Sequence, residues 1–339
     1  MRTYQIRAGA GIAGLERCEV HSKPLGPTDV RVRMRAASMN ARDLSFARGT
    51  FYRAPSHPLV PLVDGCGEVV QVGPGVDRFK EGDRVITTYY PRWLDGPIAQ
   101  AKTSVSFGAQ IDGTLAEEMV ASQESFVRAP ATLDDHHAAT LSCAGLTAWN
   151  ALFGAGRLTP GAKVLLLGTG GLSVWALQLA HAAGLYPIIT SSQDDKLERA
   201  RRLGARATVN YRKTPEWQDE VLRLTDGQGV DLVVEVGGEG TLARSLTVCR
   251  TGGTVAVIGR VAGAGGVLIE PGALIGGAKQ LVGITAGSRA MLEELVNFVD
   301  VNGIAPVIDR TFAFEQAQAA YLHVEQGKHF GKVVIDVHS

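Results

Sequence analysis

The chain has 339 residues, its 34 Lys+Arg balance 34 Asp+Glu, and 45% of it is apolar. This composition excludes a mainly disordered chain, and a formal charge of zero leaves no net field to recruit a nucleic-acid backbone or an anionic membrane. Glycine stands out at 41 residues where ~7% is usual, so many positive-φ turns or close backbone approaches are expected.

The first third alternates short apolar runs with Gly and Pro. Residues 30–38, 59–73, 82–90 and 115–122 read as strands, separated by turns such as Gly73-Pro74-Gly75 and Glu81-Gly82-Asp83. A compact, mostly antiparallel β domain is expected there. From about Gly161 the rhythm becomes strand, helix, strand, helix. Strands over 162–168, 187–192, 207–210 and 230–237 are each followed by a helical run, and 254–259 adds a fifth. Strands apolar on both faces predict a parallel sheet covered on both sides. Asp194 reads as the N-cap of the second of these helices and Gly204 as its C′ residue. Helical runs over 291–303 and 314–327 and a strand over 332–337 follow.

Cys18, Cys66, Cys143 and Cys249 form no C-x-x-C pair, which argues against a zinc ribbon and fits a reducing compartment. No stretch approaches the ~18–20 apolar residues of a membrane span, and the N-terminal run has no signal-peptide core. A soluble, cytoplasmic protein with a small-molecule substrate is expected.

The strongest local signal is LLLGTGGLSVWALQLA. Gly168, Gly170 and Ser173 stand where a dinucleotide fingerprint places G-x-G-x-x-G, directly after a buried strand and opening a helix. Gly168 allows the tight turn, and Gly170 lets backbone approach a pyrophosphate at the positive end of the helix. Ser173 replaces the third glycine and adds a hydroxyl donor. The segment Gly168-Thr169-Gly170-Gly171-Leu172-Ser173 is therefore the expected coenzyme turn. Discrimination between coenzymes falls ~20 residues later, at Thr190-Ser191-Ser192. Hydroxyls with Lys196 and Arg199 nearby suit a 2′-phosphate, so NADPH is expected over NADH.

The chain resembles the medium-chain dehydrogenase/reductase superfamily over nearly its full length. The resemblance rests on VRVRMRAASMNARDL, PLVDGCGEVVQVGPGVDRFKEGDRV, DGTLAEEMV, AATLSCAGLTAWNAL, the fingerprint, LERARRLGA and HFGKVVI. It implies a GroES-like β catalytic domain split around a Rossmann domain, over residues 1–128, 129–290 and 291–339, with the coenzyme in the cleft. It also implies coenzyme contacts from Thr147, Lys196, Tyr211, Val236-Gly237, Ile258-Gly259, Gly287-Ser288-Arg289 and Phe330-Gly331-Lys332. A homodimer is implied through an edge strand within 277–286.

The departures from the zinc alcohol dehydrogenases are informative. Where those enzymes hold catalytic zinc with Cys, His and Cys, this chain has Asn40, Val63 and Cys143, and residues 90–112 lack the four-cysteine zinc lobe. No metal is expected. The adjacent pair His136-His137 points in directions ~100° apart on a helix, and Asp134-Asp135 before it reads as a helix start.

Without zinc the chain resembles the quinone oxidoreductase branch through Asn40-Ala41-Arg42-Asp43. Asn40 is a candidate donor to a substrate carbonyl oxygen, and it also suits a helix cap, with Asp43 as an orienting or capping group. Asp64, in place of the family's Glu, is a candidate beside the nicotinamide or in a turn. Cys143 is a candidate catalytic thiol whose surroundings read as inert. Three functions follow: an NADPH-dependent quinone or α,β-unsaturated carbonyl reductase, a zinc-free alcohol/carbonyl oxidoreductase, and a nucleotide-binding redox sensor with little catalysis.

Overall fold

Alternation shapes the first unit. β1 (Arg2–Gln5) and β2 (Glu16–Glu19) form an antiparallel ribbon. β3 (Asp29–Met39) buries Val30, Val32 and Met34 between the more exposed Arg31, Arg33 and Arg35, then runs buried through residues 36–39. That change of pattern marks where one face of the strand becomes covered on both sides. α1 (Ala41–Ala47) follows, then β4 (Asp64–Val72), β5 (Arg84–Thr87), β6 (Glu118–Ser122) and β7 (Phe126–Arg128). α2 (Asp135–Ala138) starts on Asp134, whose carboxylate accepts from the His137 backbone N–H at 2.9 Å, as the sequence indicated. α3 (Leu146–Trp149) lies between two short π-helical stretches.

The second unit alternates strictly. β8 (Lys163–Leu166), α4 (Gly171–Ala182), β9 (Tyr186–Ser191), α5 (Asp194–Arg202), β10 (Ala207–Asn210), α6 (Trp217–Leu224), β11 (Val230–Glu235), α7 (Leu242–Val248) and β12 (Cys249–Val257) come in turn. α8 (Gly272–Ile275) and β13 (Gln280–Gly283) complete it. The six strands are parallel in the order β10-β9-β8-β11-β12-β13. Numbered within the sheet this is 3-2-1-4-5-6, the doubly wound arrangement whose ligand site lies where the order reverses. One face packs Leu165, Ile188, Val209, Val233 and Val255 with Trp217, Val221 and Leu246 of the helices.

The chain then returns to the first unit. α9 (Arg289–Asn302), β14 (Ile308–Ala313), α10 (Ala317–Glu325) and β15 (Lys332–Asp336) complete a seven-stranded sheet in the order β14-β15-β3-β4-β5-β7, with β6 also paired to β3. All its pairings are antiparallel except β14–β15.

This computed structural model describes residues 1–338 other than Ala262 and Ala264. Its two compact units are Met1–Leu146 with Ala286–Ser339, and Thr147–Thr285. The division therefore falls 18 residues beyond the expected 128, because α2 packs on β3, β4 and β15, and the following turn on β4 and β5. Strands β1, β2, β7 and β14 escaped the sequence reading, being short or half exposed. Asp194 does not cap α5. Gln193 holds the cap position, and Asp194 sits in the first turn.

Candidate functional site

Strand register brings three distant residues together in the first unit. Ser38 of β3 lies opposite Asp64 of β4, and Met39 opposite Val333 of β15. Asn40, Asp64 and Lys332 therefore meet at one end of the sheet. The Lys332 ammonium donates to Asn40 Oδ1 at 2.6 Å, to the Met39 carbonyl at 2.7 Å and to Asp64 Oδ2 at 3.1 Å. Asn40 Nδ2 donates to the same Asp64 oxygen at 2.9 Å. The Lys332 and Asp64 side chains are 2% and 0% exposed, so this ion pair sits where water screens it little.

The backbone around Asp64 is clamped. Thr87 Oγ1 donates to the Val63 carbonyl at 2.7 Å, and Thr114 Oγ1 to the Asp64 carbonyl at 2.8 Å. Two residues earlier, fully buried Leu62 has φ +69°, a left-handed conformation costing a non-glycine residue ~1–2 kcal/mol. A Cβ at Gly113 would lie 1.8 Å from the Leu62 carbonyl oxygen, so only glycine permits this approach. Backbone strain of this kind persists where the surroundings over-determine it.

The two roles considered for Asn40 separate cleanly. Asn40 holds the N-cap position of α1, and Asp43 at the third helical position accepts from its backbone N–H through Oδ2 at 2.8 Å. The Asn40 side chain is turned to Asp64 and Lys332 instead. Burial pushes the Asp43 carboxyl from 3.8 up to about 6, against the pull of Arg42 and of the Asn40 backbone N–H, with Asp64 adding to the rise. Arg42 lies against the Tyr89 and Phe51 rings, 4.5 and 4.9 Å from their centroids, and its Nη2 donates to Ser106 Oγ and the Phe107 carbonyl.

Cys143 lies in a setting that disfavours its thiolate. Burial, reinforced by Asp64, raises its thiol well above the ordinary value and keeps it protonated at neutral pH, despite Lys332 and Arg42. A protonated thiol is a poor nucleophile. With apolar Val63, an amide at Asn40 and an ammonium already bonded to Asn40 and Asp64, this donor set does not fit zinc. Among the described residues, no group of three or more His, Cys, Asp or Glu side chains is placed to hold a metal ion. His136 and His137 pair with Asp336 and Asp134 instead.

In the second unit the fingerprint lies beside the switch point between β8 and β11. Gly168 has φ +74° and donates its N–H to Thr190 Oγ1 at 3.1 Å. Gly170 occupies the N-cap of α4, and no side chain caps that helix, which leaves its positive end suited to an anion. Ser173 needs correcting: it is buried and its hydroxyl donates to the Leu167 carbonyl at 2.7 Å, so it is a packing residue rather than a coenzyme donor. Thr169 and Ser191 are both buried, with hydroxyl oxygens 3.3 Å apart. Ser192 is half-buried, and the Tyr211 N–H donates to the Ser191 carbonyl at 3.1 Å. Asp194 accepts from Asn210 Nδ2 at 2.7 Å and pairs with Lys213. Lys196 is buried on α5, and Thr147 is buried in α3.

Glu235, at the carboxyl end of β11, is a residue the sequence reading missed. Fully buried, it accepts from the Gly237 N–H at 2.7 Å, the Gly238 N–H at 3.0 Å, Thr241 Oγ1 at 2.7 Å and Ser245 Oγ. It shapes the Val236-Gly237 turn, and the Ile258 N–H reaches its own carbonyl at 2.8 Å, tying Ile258-Gly259 alongside. The signal available was an acid ending the apolar run Leu232-Val233-Val234.

The expected contacts in the first unit are spent locally. Ser288 caps α9 by accepting from the Met291 N–H, Arg289 pairs with Glu124 and Glu293, and the Phe330 ring is buried in the core. Gly287 is buried against Leu146, and Gly331 has φ +87°. Lys332 is corrected too: its three donors are taken by Asn40, Met39 and Asp64, leaving none for a coenzyme phosphate.

Residues 26–131 match the alcohol dehydrogenase GroES-like domain family, and residues 171–300 the zinc-binding dehydrogenase family. A zinc-type alcohol dehydrogenase-like protein of Schizosaccharomyces pombe is 39% identical over 95% of this chain and 94% of its own length. The crystal structure of an NAD-dependent alcohol dehydrogenase superposes with a TM-score of 0.90 at 32% identity, covering 99% of this chain and all (100%) of that one. A crotonyl-CoA carboxylase/reductase in complex with NADP gives a TM-score of 0.88 at 25% identity, over 99% of this chain and 94% of that one.

Proposed function

The chain belongs to the medium-chain dehydrogenase/reductase superfamily, and from that membership we propose a zinc-independent, NADPH-dependent reductase of quinones or α,β-unsaturated carbonyls. The observation that carries the reading is the Asn40–Asp64–Lys332 cluster, where an amide stands at a position matched to a zinc ligand of the zinc alcohol dehydrogenases and is bonded to a buried ion pair. A conjugated acceptor suits it. Charge arriving with hydride spreads into an enolate, which an ordinary N–H donor stabilises without a Lewis acid.

NADPH, when bound, supplies the hydride. The second unit contributes the uncapped end of α4 for the pyrophosphate, and the turn shaped by Glu235. No carboxylate stands at Ser192, and Asp194 is held by Asn210 and Lys213, which favours the 2′-phosphate over a ribose hydroxyl. In the first unit Asn40 donates to the acceptor oxygen as it becomes negative, and solvent returns the proton to the enolate.

NADPH oxidation by a panel of quinones and enones after exhaustive chelation tests this reading. Sustained turnover is expected. Failure with every acceptor, or stoichiometric bound zinc by elemental analysis, removes it; tight coenzyme binding without turnover would mark a redox sensor instead.

A second reading, a metal-free alcohol/carbonyl oxidoreductase, is favoured by the alcohol dehydrogenase names among the relatives and by Asp43, whose raised carboxyl could act in proton transfer. Alcohol oxidation coupled to NADP+ in chelated buffer separates it from the first. The proposal extends to a homodimer through β13, which ends the parallel sheet and is a strand edge that pairing would cover. Sedimentation giving only monomer rejects that pairing. Among the described residues no helix is long and apolar enough to cross a membrane.

A further inference from the structure

A primary amide is nearly symmetric in shape, so Asn40 alone has no reason to present its N–H rather than its oxygen to a substrate. Its neighbours are not symmetric. An ammonium only donates and a carboxylate only accepts. Lys332 meets Asn40 Oδ1 at 2.6 Å and Asp64 meets Nδ2 at 2.9 Å. A flipped amide would set its NH2 against the ammonium and its oxygen against the carboxylate. Both repulsions would arise between groups 2% and 0% exposed, where charges interact strongly.

We infer that Lys332 and Asp64 are positioning residues that lock the Asn40 amide so that it offers an N–H, and never its oxygen, to the acceptor. One Nδ2 hydrogen is committed to Asp64, and among the described residues the other reaches only the Ser38 carbonyl at 3.5 Å, beyond normal hydrogen-bond length. Asn40 itself is half-buried, while its two partners are buried. The charge-assisted bond from Lys332 to Oδ1 also draws electron density from the amide and strengthens its remaining donor. Asp64 balances the charge of Lys332, so what the pair imposes on the amide is a direction rather than a net charge. This inference deepens the reductase reading and rests on Asn40 as the donor.

The test uses the full chain and two readouts. Removing Lys332 alone strands a buried carboxylate, so the paired variant Asp64→Asn/Lys332→Met keeps the site neutral. The Asn40 side-chain 1H–15N pair, assigned by its loss in Asn40→Ala, is expected sharp in the wild type. In the paired variant it should shift or broaden as the amide flips. For enone reduction kcat is expected to fall about tenfold or more, while the KM for NADPH stays within about twofold. An unchanged amide signal, or an unchanged kcat in the folded paired variant, overturns the inference. So does a raised KM for NADPH with kcat intact, which would return Lys332 to the coenzyme. If the amide signal moves but the wild type reduces no acceptor, the positioning stands and the reductase reading falls.

Discussion

The two units prepare their sites by opposite means. In Thr147–Thr285 the candidate coenzyme groups are backbone, namely a helix end without a side-chain cap and turns at Gly168 and Gly237, with one carboxylate, Glu235, hidden beneath. In the other unit the candidate donor is the Asn40 amide, held by two buried charged side chains from separate stretches of chain, each of the three depending on the other two. A backbone site survives most side-chain changes around it. A side-chain cluster fails when one member is lost, because the survivors are left buried and unmatched.

Lys332→Met should produce the largest effect, a loss of ~3–5 kcal/mol in unfolding free energy, read by denaturant titration. A loss below about 1 kcal/mol would erase the contrast between the units. Asn40→Ala comes next. If the amide is the oxyanion donor, kcat falls by ~10²–10³-fold, while calorimetric affinity for NADPH barely changes. A matching loss of NADPH affinity would show that the two sites are not separable in this way.

Asp43 offers a pH test. Its folded carboxyl holds a proton up to about 6, whereas an unperturbed one releases it near 3.8. Between those values the folded chain binds the extra proton, so stability falls as pH rises through that window and is flat above it. Asp43→Asn should abolish that slope, worth at most about 3 kcal/mol, in denaturation curves from pH 4 to 7. A slope that persists in the variant assigns it elsewhere. The smallest change belongs to the backbone site. Ser192→Asp should raise the KM for NADPH about tenfold and improve use of NADH, measured as the ratio of kcat/KM values. An unaltered ratio would move the coenzyme selector away from β9.

How much could be read in advance follows the same division. The fingerprint spans six consecutive residues between a strand and a helix, so local spacing exposed it, along with the parallel sheet. Ser173 misled because the motif specifies a small residue, not where its hydroxyl goes; Leu167 claims it. The Asn40–Lys332 contact joins residues 292 apart in the chain. Nothing local in HFGKVVI distinguishes a lysine bound for a phosphate from one turned inward against Asp64. Asn40 was legible as both cap and donor, and only the register of β3 with β4 and β15 shows that its side chain meets Asp64 and Lys332.

Chain order adds a consequence for synthesis. Everything in Thr147–Thr285 leaves the ribosome as one continuous piece, whereas β15 pairs with β3 and is made only after that piece. The nascent polypeptide can therefore complete its second unit while residues 36–39 of β3 still lack their β15 partner and Asp64 still lacks its cation. A chain halted after Thr285 and before Lys332 is expected to carry one finished half and one strand segment whose unpaired backbone invites wrong pairing.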